Sequence, residues 1–416
     1  MRFLPTLLCS LSLLLPLTTW AGEEEEACAP LPEAAPRISQ ALEEPVGTEG
    51  ATALLVLPRA ALDGLDDPSL ILAEGVTIVD SYWSPVLCAS ISRVRGPAGL
   101  RAGSLVPGLP EGGTVTPDDT YFTSAAVAED AMSGPDPYRP LQYALDELEL
   151  DAARLVTAGA GARIAVLDSA PETGHPDLGR VEIVAQIVPA GPAHHGTMIA
   201  GILSAKPENR FGIAGVAPEA DVLAIPVCVA GPPERGDACA LYDVLRGLDA
   251  AWERRAHIVN LSLAGPTNPL LQGATDRLDR LGVTLVAAVG NDSSEEALYP
   301  AAYASVIGVG ATGRNRAPYP EGNRGPGLEL TAPGVDIVST APGGGFAFAN
   351  GTSMATVHVS GVLALLASAT GDLQRARQTL LLEAHRHPKA SSQVGVLPSA
   401  CALLKKLEHP CPASAP

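Results

Sequence analysis

Basic residues are scarce in this sequence of 416 residues. It holds 27 Lys and Arg against 46 Asp and Glu, so its formal net charge is -19 and its pI is about 4.8. Proteins that bind nucleic acid neutralise phosphates with clusters of Lys and Arg, and this sequence has no such cluster. Nucleic acid is therefore excluded as an expected partner. The acidic balance is typical of a protein that is kept soluble by its surface charge.

After residue 21, no stretch is expected to be long and apolar enough to span a bilayer. Residues 1–21 begin with Arg2, continue with an uncharged leucine-rich run and end on the small residue Ala21, which predicts a cleaved signal peptide. A membrane anchor is the alternative, but the run is short and the acidic block Glu23–Glu26 follows directly. We expect a secreted protein, extracellular or periplasmic, that has no membrane anchor.

Cysteine is uncommon, and the Cys-x-x-Cys spacing of structural zinc sites does not occur. Of the 7 cysteines, Cys9 belongs to the signal peptide, which leaves an even number for an oxidising compartment. Short sequence separations predict two disulfides, and the remaining cysteines suggest a third. The predicted pairs are Cys228–Cys239, Cys401–Cys411 and Cys28–Cys88.

Internal repeats are also absent, and changes in composition divide the chain instead. Residues 22–50 are acidic and rich in Pro, which predicts disorder. Residues 51–118 contain strand-like runs at 52–57, 75–80 and 87–94 and a possible helix within 60–72, which predicts a small α+β domain. Residues 119–140 are rich in small and turn residues and are expected to form a linker.

Residues 141–408 alternate apolar strands with helices, and residues 409–416 form a short tail. The predicted strands are 163–167, 222–227, 258–263 and 283–289, and the predicted helices are 195–205, 241–254 and 268–281. This alternation predicts an α/β domain in which helices cover both faces of a mainly parallel sheet. In such domains, functional residues gather at the carboxyl ends of the strands.

Four polar residues are placed at this edge of the predicted sheet. Asp168 and Asn291 follow predicted strands, whereas His195 and Ser353 begin predicted helices. Each has a simple structural explanation alone: turn residues for Asp168 and Asn291, a surface histidine for His195, and a helix N-cap for Ser353. Together they are the set of groups that acyl transfer requires.

The expected roles follow from the chemistry of each group. Ser353 would attack a carbonyl carbon, and His195 would accept its proton and pass it to the leaving amine. Asp168 would hold the imidazole tautomer and stabilise the imidazolium, while the Asn291 amide and the Ser353 backbone N–H would bind the oxyanion.

Over about residues 138–406 the chain resembles the subtilisin-like serine proteases, or subtilases, which share the chain order Asp, His, Ser. Any one motif is weak, but the ordered set is specific. The matching segments are Ile164–Ser169, His175–Leu178, His195–Thr197, Ala200–Gly201, Gly215–Pro218, Asn260–Leu263, Gly290–Asn291, Thr331–Gly334 and Gly351–Ala355.

The resemblance implies a three-layer catalytic domain preceded by a propeptide that assists folding and blocks the cleft until its removal. We therefore expect a self-processing zymogen, a monomer, whose partners are protein or peptide substrates and its own propeptide. A substrate strand would pair with the edge formed by Ser262, Leu263, Ala264 and Gly265, and Leu298 would lie near the floor of the specificity pocket.

The resemblance requires no cofactor for the chemistry, but it allows a structural calcium ion. In relatives, the aspartate of the His-Pro-Asp-Leu motif and the loop before the Gly-Val-Ala-Pro motif help to hold calcium. The matching residues here are Asp177 and Asn209, and their oxygen atoms are of the type that calcium prefers.

Three departures from the family pattern are Ala170 in place of glycine, Met198 in place of a second histidine, and Val357 in place of proline. None removes a catalytic group, so we expect a secreted endopeptidase. The alternative from another class is a catalytically silent subtilase fold that binds peptides or partners. An α/β-hydrolase esterase is disfavoured because Ala355 stands where its nucleophile motif has glycine.

Substrate preference has two opposed indications. Leu298 would make the pocket shallow and favour small or medium side chains, whereas Glu295 and Glu296 on the same loop would favour basic ones. We expect broad specificity.

Overall fold

The computed structural model describes residues 51–62, 65, 71–97, 104–110, 112–123, 126–129, 136–189, 191–231, 236–391 and 393–412. The predicted signal peptide and the acidic segment at 22–50 lie outside the described residues, as does Cys28.

A sheet of eight parallel strands forms the centre of the larger domain. Its strands are β7 (Arg163–Asp168), β8 (Val181–Ile183), β9 (Asp221–Pro226), β12 (Ile258–Leu261), β14 (Thr284–Ala288), β15 (Val306–Thr312), β16 (Leu330–Pro333) and β19 (Gly395–Val396). Their order across the sheet is β19-β16-β15-β14-β12-β7-β9-β8.

Strand β7 shows why the sheet is buried on both faces. Ile164 and Val166 belong to the apolar core on one face, and Ala165 and Leu167 belong to the core on the other. Successive side chains of a strand point to opposite faces, so a strand that is apolar at every position requires cover on both. The polar residue Asp168 comes where the strand ends.

Helices provide this cover in two layers. Helices α4, α7, α8 and α9 contribute to one core, whereas α5 and α6 contribute to the other. The helices in the described residues are α1 (Arg59–Leu62), α2 (Tyr143–Glu147), α3 (Leu150–Arg154), α4 (His194–Ser204), α5 (Leu241–Glu253), α6 (Pro269–Arg280), α7 (Thr352–Thr370), α8 (Leu373–Arg386) and α9 (Ala400–Lys406), with short 3-10 turns at Arg139–Leu141 and Arg314–Arg316.

Helix α7 passes through the middle of one layer. It packs against β12, β14, β15 and β16 as well as against α4 and α8. Its length and apolar composition would suit a membrane span, but its side chains are almost all buried inside the domain. A core helix that is apolar on all sides explains the same composition.

The N-terminal unit is a four-stranded antiparallel sheet of order β2-β3-β1-β4. Its strands are β1 (Ala51–Pro58), β2 (Thr77–Ser84), β3 (Ala89–Gly96) and β4 (Thr114–Pro117). Along β1, Leu55 and Leu57 enter the unit's own core, whereas Leu54 and Val56 join the core shared with α5 and α6. The unit therefore docks its sheet on these two helices. The helix expected within 60–72 is described only as α1.

Two further sheets join the segment that follows this unit to the larger domain. The first has the order β10-β11-β5-β13 and the second has the order β17-β18-β6. Their strands are β5 (Thr120–Thr123), β6 (Ala126–Glu129), β10 (Cys228–Val229), β11 (Ala238–Ala240), β13 (Leu263–Ala264), β17 (Ile337–Ala341) and β18 (Gly345–Asn350). Residues 119–140, expected to be a plain linker, thus contain two strands paired with the larger domain.

Two of the predicted disulfides are present. Cys228 and Cys239 are opposed in the β10–β11 pair with an S–S distance of 2.06 Å. Cys401 and Cys411 tie the segment after α9 to that helix, with an S–S distance of 1.94 Å. The proposed partner of Cys88, Cys28, lies outside the described residues.

Candidate active site

The side chains of Asp168 and His195 form a buried hydrogen-bonded pair at the carboxyl edge of the central sheet. The distances from His195 Nδ1 to the two carboxylate oxygens of Asp168 are 2.8 and 3.0 Å. Asp168 is 1% exposed and His195 is 6% exposed. With Nδ1 donating to the carboxylate, Nε2 is the nitrogen that can accept a proton.

Close packing of α4 against the end of β7 fixes this pair. The Gly196 N–H donates to Ser169 Oγ at 3.0 Å, and a Cβ at position 196 would lie only 2.0 Å from the Ser169 carbonyl oxygen. Only glycine allows this approach. Ala170, the departure from the family pattern, is accommodated, because it is buried and its carbonyl accepts the Ala193 N–H at 2.8 Å.

The pKa of His195 is set by opposing effects. Burial of the imidazole lowers its pKa, but the charge of Asp168, the hydrogen bond that His195 donates to Asp168 and the charge of Asp237 raise it, and the net shift is upward. The imidazolium that forms when His195 accepts a proton is therefore stabilised by two carboxylates.

Ser353 lies in the first turn of α7, but it does not cap the helix. The N-cap is Gly351, and Ser353 Oγ donates instead to the Ser262 carbonyl oxygen at 3.1 Å. Ser262 follows β12, which is the neighbour of β7 in the sheet, and Leu261 is paired with Leu167. Ser353 and Asp168 are therefore held at the ends of adjacent strands.

In this arrangement His195 Nε2 is buried and makes no hydrogen bond within the described part of the chain. The Ser353 hydroxyl bonds to Ser262 rather than to His195, so proton transfer requires the hydroxyl to exchange one acceptor for the other. Catalytic hydrogen bonds are often incomplete in a free enzyme and form only with substrate bound.

Asn291 forms a hydrogen bond with Thr352, the residue directly before Ser353. Its Oδ1 accepts the Thr352 N–H at 3.0 Å, a contact across 61 residues of sequence. The preceding Gly290 has a φ of 102°, which turns the chain directly after β14. Asn291 is thus not a simple local turn residue.

Asn323 is a further residue of the site that the sequence analysis missed. Its Oδ1 accepts the N–H groups of Asp292 at 2.8 Å and Ser294 at 3.1 Å, and its own N–H donates to the Gly290 carbonyl at 3.0 Å. It therefore fixes the loop that carries Asn291. Only the turn-like sequence around Asn323 hinted at this role.

The predicted substrate edge is occupied by the chain's own strand β5. Leu263 pairs with Thr123 and Ala264 with Phe122 in antiparallel register, while β11 pairs with the other side of β5. Tyr121 is fully buried there, and its hydroxyl donates to the Pro266 carbonyl at 3.1 Å. The edge thus binds an extended peptide in this structure.

The predicted pocket residues adjoin the same edge. Gly265 and Tyr299 exchange two backbone hydrogen bonds of 2.9 and 3.0 Å. Leu298 lies beside Gly290, where a Cβ at position 290 would be 2.9 Å from Leu298 Cδ1. Glu295 is exposed and paired with Arg324 at 3.2 Å.

Asp177 and Asn209, the residues predicted as possible calcium ligands, are in contact. The Asn209 amide nitrogen donates to Asp177 Oδ1 at 2.7 Å, and the Ile213 N–H donates to Asp177 Oδ2 at 2.9 Å. Each carboxylate oxygen of Asp177 thus accepts one hydrogen bond here, and calcium binding at this pair stays a prediction. Among the described residues, no group of three His, Cys, Asp or Glu side chains could hold a metal.

The sequence of this chain is similar to those of known subtilases. A sequence model of the subtilase family matches residues 159–396. Subtilisin BL of Lederbergia lenta is 40% identical over 214 residues, which is 50% of this chain and 77% of that protein. M-protease of Shouchella clausii (strain KSM-K16) is 39% identical over 214 residues, and the match spans only about half (54%) of its length.

Two solved structures of proteases are also similar to this chain in fold and in sequence. The protease domain of PatA, solved as a mutant, has a TM-score of 0.51 and 31% identity, and the match covers 60% of this chain and 96% of that one. The prenylagaramide maturation protease PagA has a TM-score of 0.54 and 28% identity, with 62% and 98% covered.

Proposed function

The chain belongs to the subtilase family of serine proteases, and from this premise we propose that it is a secreted serine endopeptidase made as a self-processing zymogen. The observation that carries the proposal is that the Asp168–His195 pair and Ser353 are held at the ends of adjacent strands, next to an edge that already binds an extended segment.

The proposed reaction is acyl transfer. Ser353 Oγ attacks the substrate carbonyl carbon while its proton passes to His195 Nε2, and the carbonyl oxygen becomes an oxyanion. The Asn291 amide and the Ser353 backbone N–H stabilise that oxyanion. The C–N bond then breaks, and His195 returns the proton to the leaving amine. Water hydrolyses the acyl-enzyme by the same steps and regenerates the Ser353 hydroxyl.

A fluorophosphonate probe tests the assignment, because it labels only an activated serine. On the purified, N-terminally processed protein we expect one adduct on Ser353 by mass spectrometry. The adduct should be lost in His195→Ala and kept in His194→Ala, a matched control because His194 is the exposed neighbour in the same helix. No label on the processed, folded protein would favour the silent peptide-binding fold instead.

Self-processing is supported by the path of the chain through the cleft. Strand β5 ends at Thr123, paired with Leu263 beside Ser262, and β6 begins at Ala126, paired with Asn350 just before the Ser353 motif. Only Ser124 and Ala125, which lie outside the described residues, separate the two strands. The two flanking strands thus pair with the segment just after Ser262 and with the segment just before the Ser353 motif.

We therefore expect the precursor to be cut between Thr123 and Ala126. N-terminal sequencing of the mature protein should begin at residue 124, 125 or 126, and Ser353→Ala should accumulate the uncut chain. A mature protein that begins beyond residue 129 would contradict this position. Processing of Ser353→Ala expressed alone would show that another protease makes the cut.

A further inference from the structure

A line of buried hydrogen bonds runs from Ser360 through Asn260 and Ser262 to the main chain of Ser353. Ser360 Oγ donates to Asn260 Oδ1 at 2.9 Å, and Asn260 Nδ2 donates to Ser262 Oγ at 3.0 Å. Ser262 Oγ in turn donates to the Ser353 carbonyl oxygen at 3.2 Å. All four residues are 0% exposed.

The line joins two elements of the core at two points. Ser360 comes seven residues after Ser353 in α7, about two helical turns, so both residues lie on one side of the helix. Asn260 and Ser262 belong to the end of β12 and the residue after it. The first turn of α7 is therefore clamped to the sheet edge by side chains as well as by apolar packing.

The donor and the acceptor of each hydrogen bond in this line are fixed by the chemistry of the groups. Ser360 can only donate to the Asn260 oxygen, which leaves the Asn260 amide nitrogen to donate to Ser262 Oγ, so the Ser262 hydroxyl hydrogen is directed to Ser353. Buried polar groups are costly unless all are satisfied, and a satisfied network fixes one geometry. An apolar pair would fill the same space without directing the Ser262 hydroxyl.

We propose that Ser360 and Asn260 are positioning residues, which act through Ser262 on the nucleophile. This inference rests on the proposed endopeptidase function. Ser262 holds the Ser353 main chain with its hydroxyl and the Ser353 hydroxyl with its carbonyl. When Ser353 Oγ leaves that carbonyl for His195 Nε2, the clamp keeps the main chain still, so that only the side chain rotates.

The side chains of Ser360, Asn260 and Ser262 are fully buried and bond to one another and to the Ser353 main chain, so loss of the Ser360 or Ser262 hydroxyl should lower kcat and leave KM largely unchanged. For Ser360→Ala and Ser262→Ala we expect kcat and the rate of fluorophosphonate labelling to fall about 3- to 10-fold, and KM to stay within about 2-fold. The acid limb of the pH profile should not move, because the Asp168–His195 pair is intact.

A double variant at Ser360 and Ser262 tests whether Ser360 acts on Ser353 only through Ser262. If Ser360 acts through Ser262, Ser360→Ala combined with Ser262→Ala should be no slower than the slower single variant. Ser360→Thr keeps the hydroxyl and should restore most of the rate. Ser204→Ala is the matched control, since Ser204 is an equally buried helical serine whose hydroxyl donates to the Ala200 carbonyl of its own helix.

If the wild-type protein is labelled, three results would overturn the inference. The first is a Ser360→Ala protein with full kcat, and the second is a double variant whose loss of kcat is the product of the two single losses. The third is a Ser360→Ala protein that unfolds at a lower midpoint but keeps its kcat. Absence of labelling in the wild-type protein is a different result, because it removes the proposed function itself.

Discussion

At the residue scale, the carboxylates around His195 govern the pH range in which it can act as a base. A general base must be neutral to accept a proton, so activity falls as pH decreases through its pKa. Burial lowers the pKa of His195, but Asp168 and Asp237 raise it to a net value above its ordinary one. The acid limb of kcat/KM should therefore lie above the midpoint of an ordinary histidine, about 6.5.

Asp237→Asn tests this interpretation without touching the Asp168–His195 pair. Removing the Asp237 charge withdraws one of the effects that raise the pKa of His195, so the acid limb should move to lower pH. The measurement is kcat/KM against pH on a peptide substrate. Glu182→Gln, which removes an exposed carboxylate on the edge strand β8, should leave the limb in place. A shift to higher pH would contradict the assignment of His195 as the base.

At the scale of elements, the contact between the start of α4 and the end of β7 is the one on which the site depends most. A Cβ at Gly196 would meet the Ser169 carbonyl oxygen at 2.0 Å, so Gly196→Ala must push the two elements apart. Displacement of about 1 Å can reduce a rate about 100-fold, and overpacking costs about 1–3 kcal/mol of stability. We expect kcat/KM to fall by about that factor and the unfolding midpoint to drop.

Gly174→Ala is the control for this prediction. A Cβ at Gly174 would have no atom within 4 Å, so this variant should behave like the wild-type protein in both assays. A fully active Gly196→Ala protein would mean that the tight contact does not position His195.

The elements that the sequence predicted well are those whose signal is local. Strand β7 and helices α4, α5 and α6 are recognisable from their own residues, because each is a continuous apolar or amphipathic segment bounded by polar or turn residues. The four catalytic residue types were predicted for the same reason, since each stands at the end of such a segment.

Strands β5 and β6 were not predicted, because each has only four residues in a segment rich in small and turn residues. The Thr-Tyr-Phe-Thr sequence of β5 does favour an extended conformation, but so short a signal does not outweigh the surrounding turn residues. Their conformation comes from partners far along the chain, such as Ala264 for Phe122 and Asn350 for Ala126. The same holds for Asn260 and Ser360, which are 100 residues apart. Tertiary pairing of this kind decides short strands and buried polar contacts more than local propensity does.

At the scale of the whole molecule, the N-terminal unit is held on α5 by a carboxylate that titrates near neutrality. Asp249 Oδ1 accepts Ser84 Oγ at 2.9 Å and the Val86 N–H at 3.0 Å. Burial raises the pKa of Asp249 to about 7, against smaller lowering effects of its hydrogen bonds. Burial also raises the pKa of the neighbouring Tyr82 well above its usual range, so Tyr82 stays neutral near pH 7.

A carboxyl whose pKa is raised in the docked state favours docking most at low pH and loses that contribution as pH rises through about 7. After self-cleavage, the N-terminal unit should therefore dissociate more readily at pH 9 than at pH 6. Size-exclusion chromatography of the processed protein measures the bound fraction. Asp249→Asn cannot ionise, so most of the pH dependence should disappear; an unchanged dependence would assign it to other groups.

The short distance along the chain between β5 and β6 has a consequence for kinetics. A strand already seated beside the nucleophile of its own chain reacts in a first-order step, whose half-time is the same in a dilute and in a concentrated solution. In the proposed self-processing, each molecule would make this cut once, after which its two new ends would no longer be joined. The time needed for maturation would then be counted from the folding of each chain. It would not shorten as active protease accumulates, as it would if one molecule cut another.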